Sequence, residues 1–437
     1  MKFYRQPLTY GAISLAALLV LSSLVWAQSG GPVLATLHSF TAPPNDGRAP
    51  EANMAIGSGG TLYSTTAFGG AHGKGSVFSL SPPASSGVPW TETVLYSFQG
   101  GTIDGQNPYD TGVALGNDGV IYGLAYSGGT SGRGIAYSLT PPVSPGGAWT
   151  ESVLYNFGAP NYSSYNPEST PVIGSGGVVY GEAQGGATNH GMIFSLTPPA
   201  VAGGAWTETP IYSFGGPPSD GSNPFGGLRF GAGGVLYGTT EGGGDGCTGD
   251  GCGTVFSLAP PATPAGTWTE TVLYNFKGYP VGYGYAPTGG VAIGSGGVLY
   301  GTTNLGGSGP CEGGACGTVF SLTPPNSAGG PWQETILYSF TGGADGGYPW
   351  GGIAVGSGGV LYGTTQVGGS ANKGVVFSLT PPGSAGAPWT ETVLYNFTGP
   401  HGNRPEASVV VGPGGILYGT TEWGGSSGDG TVFALKP

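Results

Sequence analysis

Residues 356–397 read GSGGVLYGTTQVGGSANKGVVFSLTPPGSAGAPWTETVLYNF, and versions of this stretch recur along the chain. The tyrosine of its LYG core marks each copy. Equivalent tyrosines are separated by 56 to 63 residues, at Tyr63, Tyr122, Tyr180, Tyr237, Tyr300, Tyr362 and Tyr418. Recurrence at such a period is typical of arrays of supersecondary units. The sequence therefore predicts seven structural repeats.

Each repeat contains four short segments rich in valine, leucine, tyrosine, phenylalanine and threonine, separated by glycine and proline clusters. This pattern predicts β-strands and turns, named here A to D. In the sixth repeat we expect A over residues 352–355, B over 360–365, C over 375–379 and D over 390–397. The A to B link, residues 356–359, supplies glycines that accept positive φ in a tight hairpin turn, so neighbouring strands should be antiparallel.

Four-stranded antiparallel units repeated around an axis form a β-propeller, whereas a linear solenoid uses shorter repeats of one or two strands. The ends of the chain decide between these folds. Residues 33–40, VLATLHSF, match strand D, whereas the last repeat ends at strand C with residues 431–435. A leading strand D that completes the last blade leaves no blade without its edge strand. The predicted fold is all-β: a seven-bladed propeller of four-stranded antiparallel blades, closed by the N-terminal strand.

The N-terminal segment predicts export. Residues 1–27 carry Lys2 and Arg5, then an apolar run over 11–26, and end in Val-Trp-Ala before Gln28. This pattern is typical of a cleaved signal peptide. A retained membrane anchor is the alternative, but the run is shorter than the roughly 20 residues of a spanning helix. We expect one propeller domain over residues 28–437, secreted, periplasmic or at the cell surface, with no membrane span after cleavage.

The composition is acidic and sparingly charged. Charged residues make up 7% of the chain, and its formal net charge is −12. Without the two basic residues of the leader, 8 basic and 22 acidic residues remain, a formal charge of −14. Nucleic acids and other polyanions are therefore not expected as partners. We expect the mature protein to be a monomer.

Six tryptophans begin strand D, usually before Thr-Glu: Trp90, Trp149, Trp206, Trp268, Trp332 and Trp389. The alternation that follows places apolar side chains on both faces of strand D, so both faces are expected to be buried. Blades that pack face to face would bury them. These tryptophans are therefore expected in the core between blades rather than as ligand platforms.

The repeated pattern GSGGVLYGTT…GG…GTVFSLTPP…WTETVLYSF resembles the Gloeo/Verruco (GloVer) repeat of exported bacterial proteins, over essentially the whole mature chain. The resemblance implies bacterial export and tandem repetition, with varied C-terminal anchors, and it implies no particular activity. This chain departs from the anchored members because it stops at Pro437, directly after strand C.

Four cysteines form two C-x4-C pairs, Cys247 with Cys252 and Cys311 with Cys316, inside the only two lengthened B to C loops. In an exported protein these pairs are expected to be disulfides. A four-cysteine zinc site is the alternative, but it would need the two loops to converge and the thiols to stay reduced. We predict two disulfides, each within one loop.

Other short motifs fail on their context. Residues 244–249 fit GxGxxG and residues 424–428 fit GxSxG, but neither leads into a helix. Asp245 and Asp250 lie among glycines, which leaves calcium open beside a solvated turn, but their spacing matches no EF-hand. The four histidines show no metal spacing and no Ser-His-Asp order. No catalytic residue and no cofactor is predicted.

The candidate site is the face where D leads into A and B leads into C, whose loops vary most between repeats. Each D to A loop ends in proline, and if A is innermost the following residues ring the channel mouth: Glu51, Tyr109, Glu168, Phe225, Thr288, Trp350 and Glu406. The residues after strand B lie nearby: Tyr126, Gln184, Glu241, Asn304, Gln366, Glu422 and Trp423. The ligand-binding candidates among them are Glu51, Tyr109, Glu168, Phe225, Trp350, Glu406, Glu422 and Trp423. The alternative is that these are ordinary loop-end residues.

Carboxylates beside aromatic rings suit sugars, which offer apolar faces and hydroxyl groups. The sequence leaves two functions open. The first is an exported, non-catalytic binding or scaffold module for a glycan or another surface protein, favoured because the repeats are nearly uniform and no catalytic set stands out. The second is a carbohydrate-active enzyme, a hydrolase or lyase, that uses carboxylates at the mouth.

Overall fold

The computed structural model describes residues 31–437 apart from residues 42, 45, 86, 145, 159–163, 202, 264–265, 279–282, 312–315, 328 and 385. Seven antiparallel sheets follow one another, each with its strands in the order A-B-C-D. The seven A strands surround one central channel, so the predicted seven-bladed propeller is confirmed. The predicted signal peptide lies outside the described residues. Within the described part, no helix is long and apolar enough to cross a membrane.

The strand bounds follow the repeat closely. In blade 1 the strands are Ala55–Ile56, Leu62–Thr66, Ser76–Ser81 and Thr91–Ser97, and in blade 2 they are Ala114–Leu115, Ile121–Ala125, Ile135–Thr140 and Thr150–Asn156. Blade 3 has Val172–Ile173, Val179–Gly185, Met192–Thr197 and Thr207–Ser213, and blade 4 has Arg229–Phe230, Leu236–Thr240, Thr254–Ala259 and Thr269–Asn275. Blade 5 has Ala292–Ile293, Leu299–Thr303, Thr318–Thr323 and Gln333–Ser339, and blade 6 has Ala354–Val355, Leu361–Thr365, Val375–Thr380 and Thr390–Asn396. Blade 7 has Val410–Val411, Leu417–Thr421 and Thr431–Lys436, with Val33–Ser39 as its strand D.

The glycines of the repeat have two distinct roles. In the A to B link of blade 6, Gly358 and Gly359 have φ of 68° and 77°, as the tight turn was predicted to require. In strand B, Gly363 lies opposite Phe377 of strand C. A Cβ atom at Gly363 would lie 2.5 Å from Cζ of that ring. Glycine follows the tyrosine in LYG because the phenylalanine ring covers its backbone.

Edge-to-face aromatic contacts link each blade to the next. A phenylalanine directly after strand D packs against the aromatic residue of strand C in the following blade, with ring centroids 5.0 to 5.3 Å apart. All seven are fully buried: Phe40, Phe98, Phe157, Phe214, Phe276, Phe340 and Phe397. Burial of one phenylalanine contributes about 1.5–3 kcal/mol, and the edge-to-face contact adds about 0.5–1.5 kcal/mol. These contacts are therefore a main source of cohesion between blades.

The tryptophans that begin strand D pack between blades, as predicted, but less deeply than expected. Trp206 contacts Tyr122 of the preceding blade at 6.1 Å between ring centroids, and only Trp90 of the six is buried. The prediction that both faces of strand D are buried is wrong for its first half, where Thr390 and Thr392 are exposed. Strand D is the outermost strand of each blade, and the gap between neighbouring blades widens with distance from the channel axis. The first half of strand D is therefore left exposed.

The N-terminal strand closes the ring. Val33–Ser39 pairs antiparallel with Thr431–Lys436 and so completes blade 7 in the order D-C-B-A. Phe40 then inserts against Phe78 of blade 1, with ring centroids 5.2 Å apart. The closure predicted from the two chain ends is confirmed.

A repeated backbone device holds the loops at the mouth. The residue before each loop proline has a left-handed backbone with φ between 51° and 58°: Ala49, Asn107, Asn166, Asn223, Ala286, Tyr348 and Arg404. We call these the clasp residues. Their N–H groups donate to the preceding blade, as Asn107 donates to Lys74 O at 2.8 Å, and Asn107 O accepts from Tyr126 N of the next blade at 3.3 Å. A left-handed non-glycine residue costs about 1–3 kcal/mol, and these hydrogen bonds hold it.

Short ladders that the sequence did not predict reinforce the same loops. In blade 2, residues Gly105–Gln106 of the D to A loop pair with Ser127–Gly128 after strand B. Similar pairs occur in blades 1, 3, 4 and 5. The clasp residues and the ladders together fix the backbone position of each post-proline residue.

Both disulfides form as predicted, Cys247 with Cys252 and Cys311 with Cys316, with Cα atoms 5.4 and 5.2 Å apart. Cys252 and Cys316 are buried, at 4% and 0% exposed, and join the cores of their blades.

Replacing both Cys247 and Cys252 by alanine is expected to lower the free energy of unfolding by no more than about 2 kcal/mol, because the closed loop is very short. Urea unfolding of the double variant against wild type measures this. The matched control is the double variant Cys311→Ala and Cys316→Ala. A loss above about 4 kcal/mol in either variant would show that the bridge holds the blade and not only its loop.

Candidate functional site

Three carboxylates from three consecutive D to A loops meet at the mouth. Glu51, Asp110 and Glu406 each present a carboxylate oxygen, and these oxygens lie within 4.8 Å of one another. Glu51 and Glu406 were predicted at the mouth. Asp110 was not, because the sequence comparison selected the post-proline position Tyr109 in that repeat. The mouth therefore carries a carboxyl cluster, defined by these three residues.

All three carboxyl groups of the cluster have pKa values well above those of free carboxylic acids. Burial, then repulsion from Asp110 and Glu406, raises the pKa of Glu51 to about 9. Burial, followed by repulsion from Glu422, raises the pKa of Glu406 to about 8 and that of Asp110 to about 7. At neutral pH the cluster therefore keeps at least one carboxylic acid, and Asp110, which has the lowest of the three pKa values, is the member that ionises first.

Arg404 partly neutralises one side of this cluster. Its Nε lies 2.9 Å from Glu406 Oε1, and its Nη1 lies 3.3 Å from Glu422 Oε2. Gln366 Nε2 donates to Glu406 Oε1 at 2.8 Å. Arg404 is also a clasp residue, so its side chain leaves the backbone at a fixed point. Sequence reasoning missed it because it precedes the proline.

Aromatic rings occupy the other side of the mouth. Phe225 and Trp350 stack, with centroids 6.0 Å apart and an interplanar angle of 28°. Thr288, from the loop between theirs, donates its hydroxyl to Trp350 O at 2.9 Å. The pair and the carboxyl cluster line one hollow. The hollow therefore combines an apolar aromatic face with hydrogen-bonding carboxyl groups.

The structure brings four of the eight candidate residues to this hollow and places the other four around it. Glu51, Phe225, Trp350 and Glu406 line the hollow. Tyr109 instead packs against Phe68 and Tyr126, at 5.3 and 5.8 Å between centroids. Glu168 accepts from Gln184 at 2.7 Å, Glu422 pairs with Arg404, and Trp423 lies under Arg48 at 5.2 Å.

The hollow is shallow, with a volume of about 40 Å³. Asn53 and Ser408 line both this hollow and the central channel beneath it, whose volume is about 550 Å³. The hollow is therefore too small to enclose a small molecule, whereas the volume of the channel is within the range of small-molecule sites.

Two groups of described residues have metal-binding geometry. The carboxyl cluster offers three oxygen ligands, which suit a hard cation such as Ca²⁺. His38, Asp46 and Glu92 form the second group, between strand D of blade 7 and blade 1. Neither group includes Asp245 or Asp250, where the sequence had left calcium open.

A ring of hydrogen bonds lies just below the mouth. Strand B of one blade donates a threonine hydroxyl to the backbone that enters strand A of the next, as Thr364 Oγ1 does to Ala407 O at 2.9 Å. In blade 3 this position is Glu182, whose Oε2 accepts from Gly227 N at 2.8 Å. Its Oε1 is buried and has no hydrogen-bond partner among the described residues. Burial raises the pKa of Glu182 to about 8.

Fold and site together define a seven-bladed propeller with an acidic and aromatic mouth. The chain belongs to the Gloeobacter/Verrucomicrobia repeat family, which matches residues 86–314 and 287–437. The resemblance predicted from the repeat pattern is therefore confirmed.

No curated protein matches this chain in sequence. Among solved structures it is similar to an ulvan lyase of polysaccharide lyase family PL25 bound to -[GlcA(1-4)Rha3S]-, at 10% identity and a TM-score of 0.53, over 91% of this chain and 94% of that one. The polysaccharide lyase Uly1 is similar at 10% identity and a TM-score of 0.50, over 91% and 92%. An oxidoreductase described as a glucose dehydrogenase, from Thermus thermophilus, has 17% identity and a TM-score of 0.42, over 74% and 95%. At these identities, the likeness shows the fold alone.

Proposed function

We propose that this protein is an exported, non-catalytic binding propeller that holds a glycan at the mouth of its channel. One observation carries the proposal: the stacked Phe225 and Trp350 share a hollow with the carboxyl cluster. Aromatic rings contribute contact area for the apolar face of a sugar, and carboxyl groups orient its hydroxyls. Disulfides in the loops support an oxidising location outside the cytoplasm.

A second candidate is a carbohydrate-active enzyme. The carboxyl cluster favours it, because a protonated acid beside a carboxylate at neutral pH is what acid–base cleavage of a glycosidic bond uses. The volume of the hollow opposes it. A space of about 40 Å³ does not enclose a sugar ring away from water, as catalytic sites commonly do. We therefore place binding before catalysis.

Trp350→Ala is expected to weaken glycan binding about tenfold and to leave the melting temperature unchanged, because its side chain faces the hollow. The probes are neutral, uronate-containing and sulfated polysaccharides, tested for retention and for release of reducing ends. Trp332→Ala is the matched control: it should keep binding and lower stability by about 1–3 kcal/mol, since Trp332 packs between blades. If Trp350→Ala has a lower melting temperature and binds glycan as the wild type does, Trp350 is a packing residue and the proposed binding site at the mouth is wrong.

Glu51→Gln and Glu406→Gln separate the two candidates, with Glu168→Gln beside the hollow as a third variant. Each replacement keeps the shape of the side chain and removes the titrating group. Loss of binding alone supports a glycan-binding module, whereas loss of product release with binding retained supports an enzyme. If the wild type neither retains nor cleaves any of these polysaccharides, the proposal of a glycan ligand is refuted and a protein ligand becomes the alternative.

A further inference from the structure

Strand A of blade 4 carries a charged side chain where its equivalents are apolar. Arg229 lies opposite Tyr237. The residues at the six equivalent positions are Ala55, Ala114, Val172, Ala292, Ala354 and Val410. Arg229 lines the central channel, and no other charged residue lines it within the described part of the chain. The channel wall is otherwise apolar side chains, small polar ones and backbone.

Arg229 has no partner in this environment. Among the described residues, the basic side chains that lie within ion-pair distance of a carboxylate are His38, Arg48 and Arg404. The side chain of Arg229 forms no ion pair or hydrogen bond with these residues. Arg229 is exposed along the channel, while the protein atoms around its guanidinium desolvate it in part and lower its pKa. A partly desolvated charge is stabilised by a counter-charge.

The two ends of the channel differ in composition. The carboxyl cluster, Glu422 and Arg404 lie at the mouth. The opposite end is formed by the seven A to B turns, built of glycine with serine, asparagine, alanine or proline, and Asp118 is the one charged residue in these turns. Arg229 lies two residues before the blade 4 turn, which begins at Gly231. Arg229 is therefore closer along its strand to the turn end than to the mouth, and the turn end is the shorter route to it.

We propose that the channel binds one small organic carboxylate, which enters from the turn end and pairs with the guanidinium of Arg229. The planar fork of a guanidinium matches the two oxygens of a carboxylate. A channel of about 550 Å³ lies within the size range of small-molecule sites. Val172 of the neighbouring blade 3, which also lines the channel, offers an apolar contact. The carboxylate can belong to a sugar acid or to an aromatic acid, and this inference does not depend on the mouth site.

The test is calorimetric titration of the full mature chain with glucuronate and with benzoate. Glucose and benzyl alcohol are the neutral counterparts. We expect at least one carboxylate to bind and neither neutral compound to do so. Arg229→Ala should weaken that binding about tenfold or more, because a charged hydrogen-bonded pair is lost. Arg229→Lys keeps the positive charge but lacks the planar guanidinium, so its affinity for the carboxylate should lie between those of the wild type and Arg229→Ala.

Arg133→Ala is the matched control, because Arg133 lies outside the channel and contacts the ring of Tyr165. It should bind the carboxylate as the wild type does. Arg229→Ala should melt no lower than the wild type, since four of the six equivalent positions are already alanine. Absence of carboxylate binding to the wild type, or equal binding by Arg229→Ala, would overturn the inference. Preference for glucuronate or for benzoate identifies the source of the carboxylate.

Discussion

Deletion of residues 28–40 is expected to abolish the cooperative unfolding transition of the protein or to cause aggregation. The deletion removes the strand that pairs with Thr431–Lys436, and it removes Phe40, which is fully buried against Phe78 of blade 1. Loss of Phe40 alone should cost about 3–5 kcal/mol. The unpaired edge of blade 7 would also be free to pair with other molecules. Calorimetry and light scattering measure the two outcomes.

A synthetic peptide of residues 33–40, VLATLHSF, is the sharpest control for this deletion. Added in excess to the shortened protein, it should occupy the empty edge of blade 7 and restore a cooperative transition. A peptide with the same composition in scrambled order should not. An unchanged melting curve for the deleted protein would sink the closure model.

Glu182→Thr is expected to stabilise the protein above pH 8 and to reduce the dependence of its stability on pH. Glu182 is fully buried, and its pKa is raised from 4.5 to about 8. Below pH 4.5 the folded and unfolded states are both protonated, so its contribution to stability is fully present there. Between pH 4.5 and 8 only the folded state keeps the proton, and the contribution is progressively lost as pH rises. Threonine removes this titration and restores the hydroxyl found at this position in five of the six other blades.

Urea unfolding at pH 5 and at pH 8.5 tests this expectation. The loss of free energy of unfolding between the two pH values should be smaller in Glu182→Thr than in wild type by about 1–4 kcal/mol. Some dependence should remain, because the carboxyl cluster also releases protons in this range. Asp250→Asn, which changes an exposed loop carboxylate, is the control and should match the wild type. Equal losses in Glu182→Thr and wild type would show that Glu182 does not hold its proton.

The ring could be predicted from the sequence because its determinants are local or lie at the chain ends. The glycines at 358 and 359 fix a turn, and a strand D without a preceding C fixes the closure. Burial of strand D was overestimated, because alternation of residues such as Thr390 and Thr392 does not report how far neighbouring blades diverge.

The mouth was only half predictable, since its composition depends on contacts between loops far apart in sequence. Counting from the proline selected Glu51 and Trp350, which line the hollow in the structure, and their role in ligand binding stays a prediction. The same rule chose Tyr109 over Asp110, whose own left-handed backbone (φ 49°) differs from that of the equivalent residues in the other repeats. It passed over Arg404, which precedes the proline. The unpartnered state of Arg229 likewise depends on what the other six blades place around it.

The clasp residues also bear on how such a mouth can diversify. Each is held by main-chain groups of the blades on either side, so the backbone at the following proline does not depend on which side chain comes next. Different side chains can therefore occupy the seven post-proline positions without a change in the backbone of the ring. Duplication of one repeat, followed by substitutions at these positions, would change the surface of the mouth and leave the propeller backbone unchanged. A combinatorial library confined to these positions uses the same freedom in the laboratory.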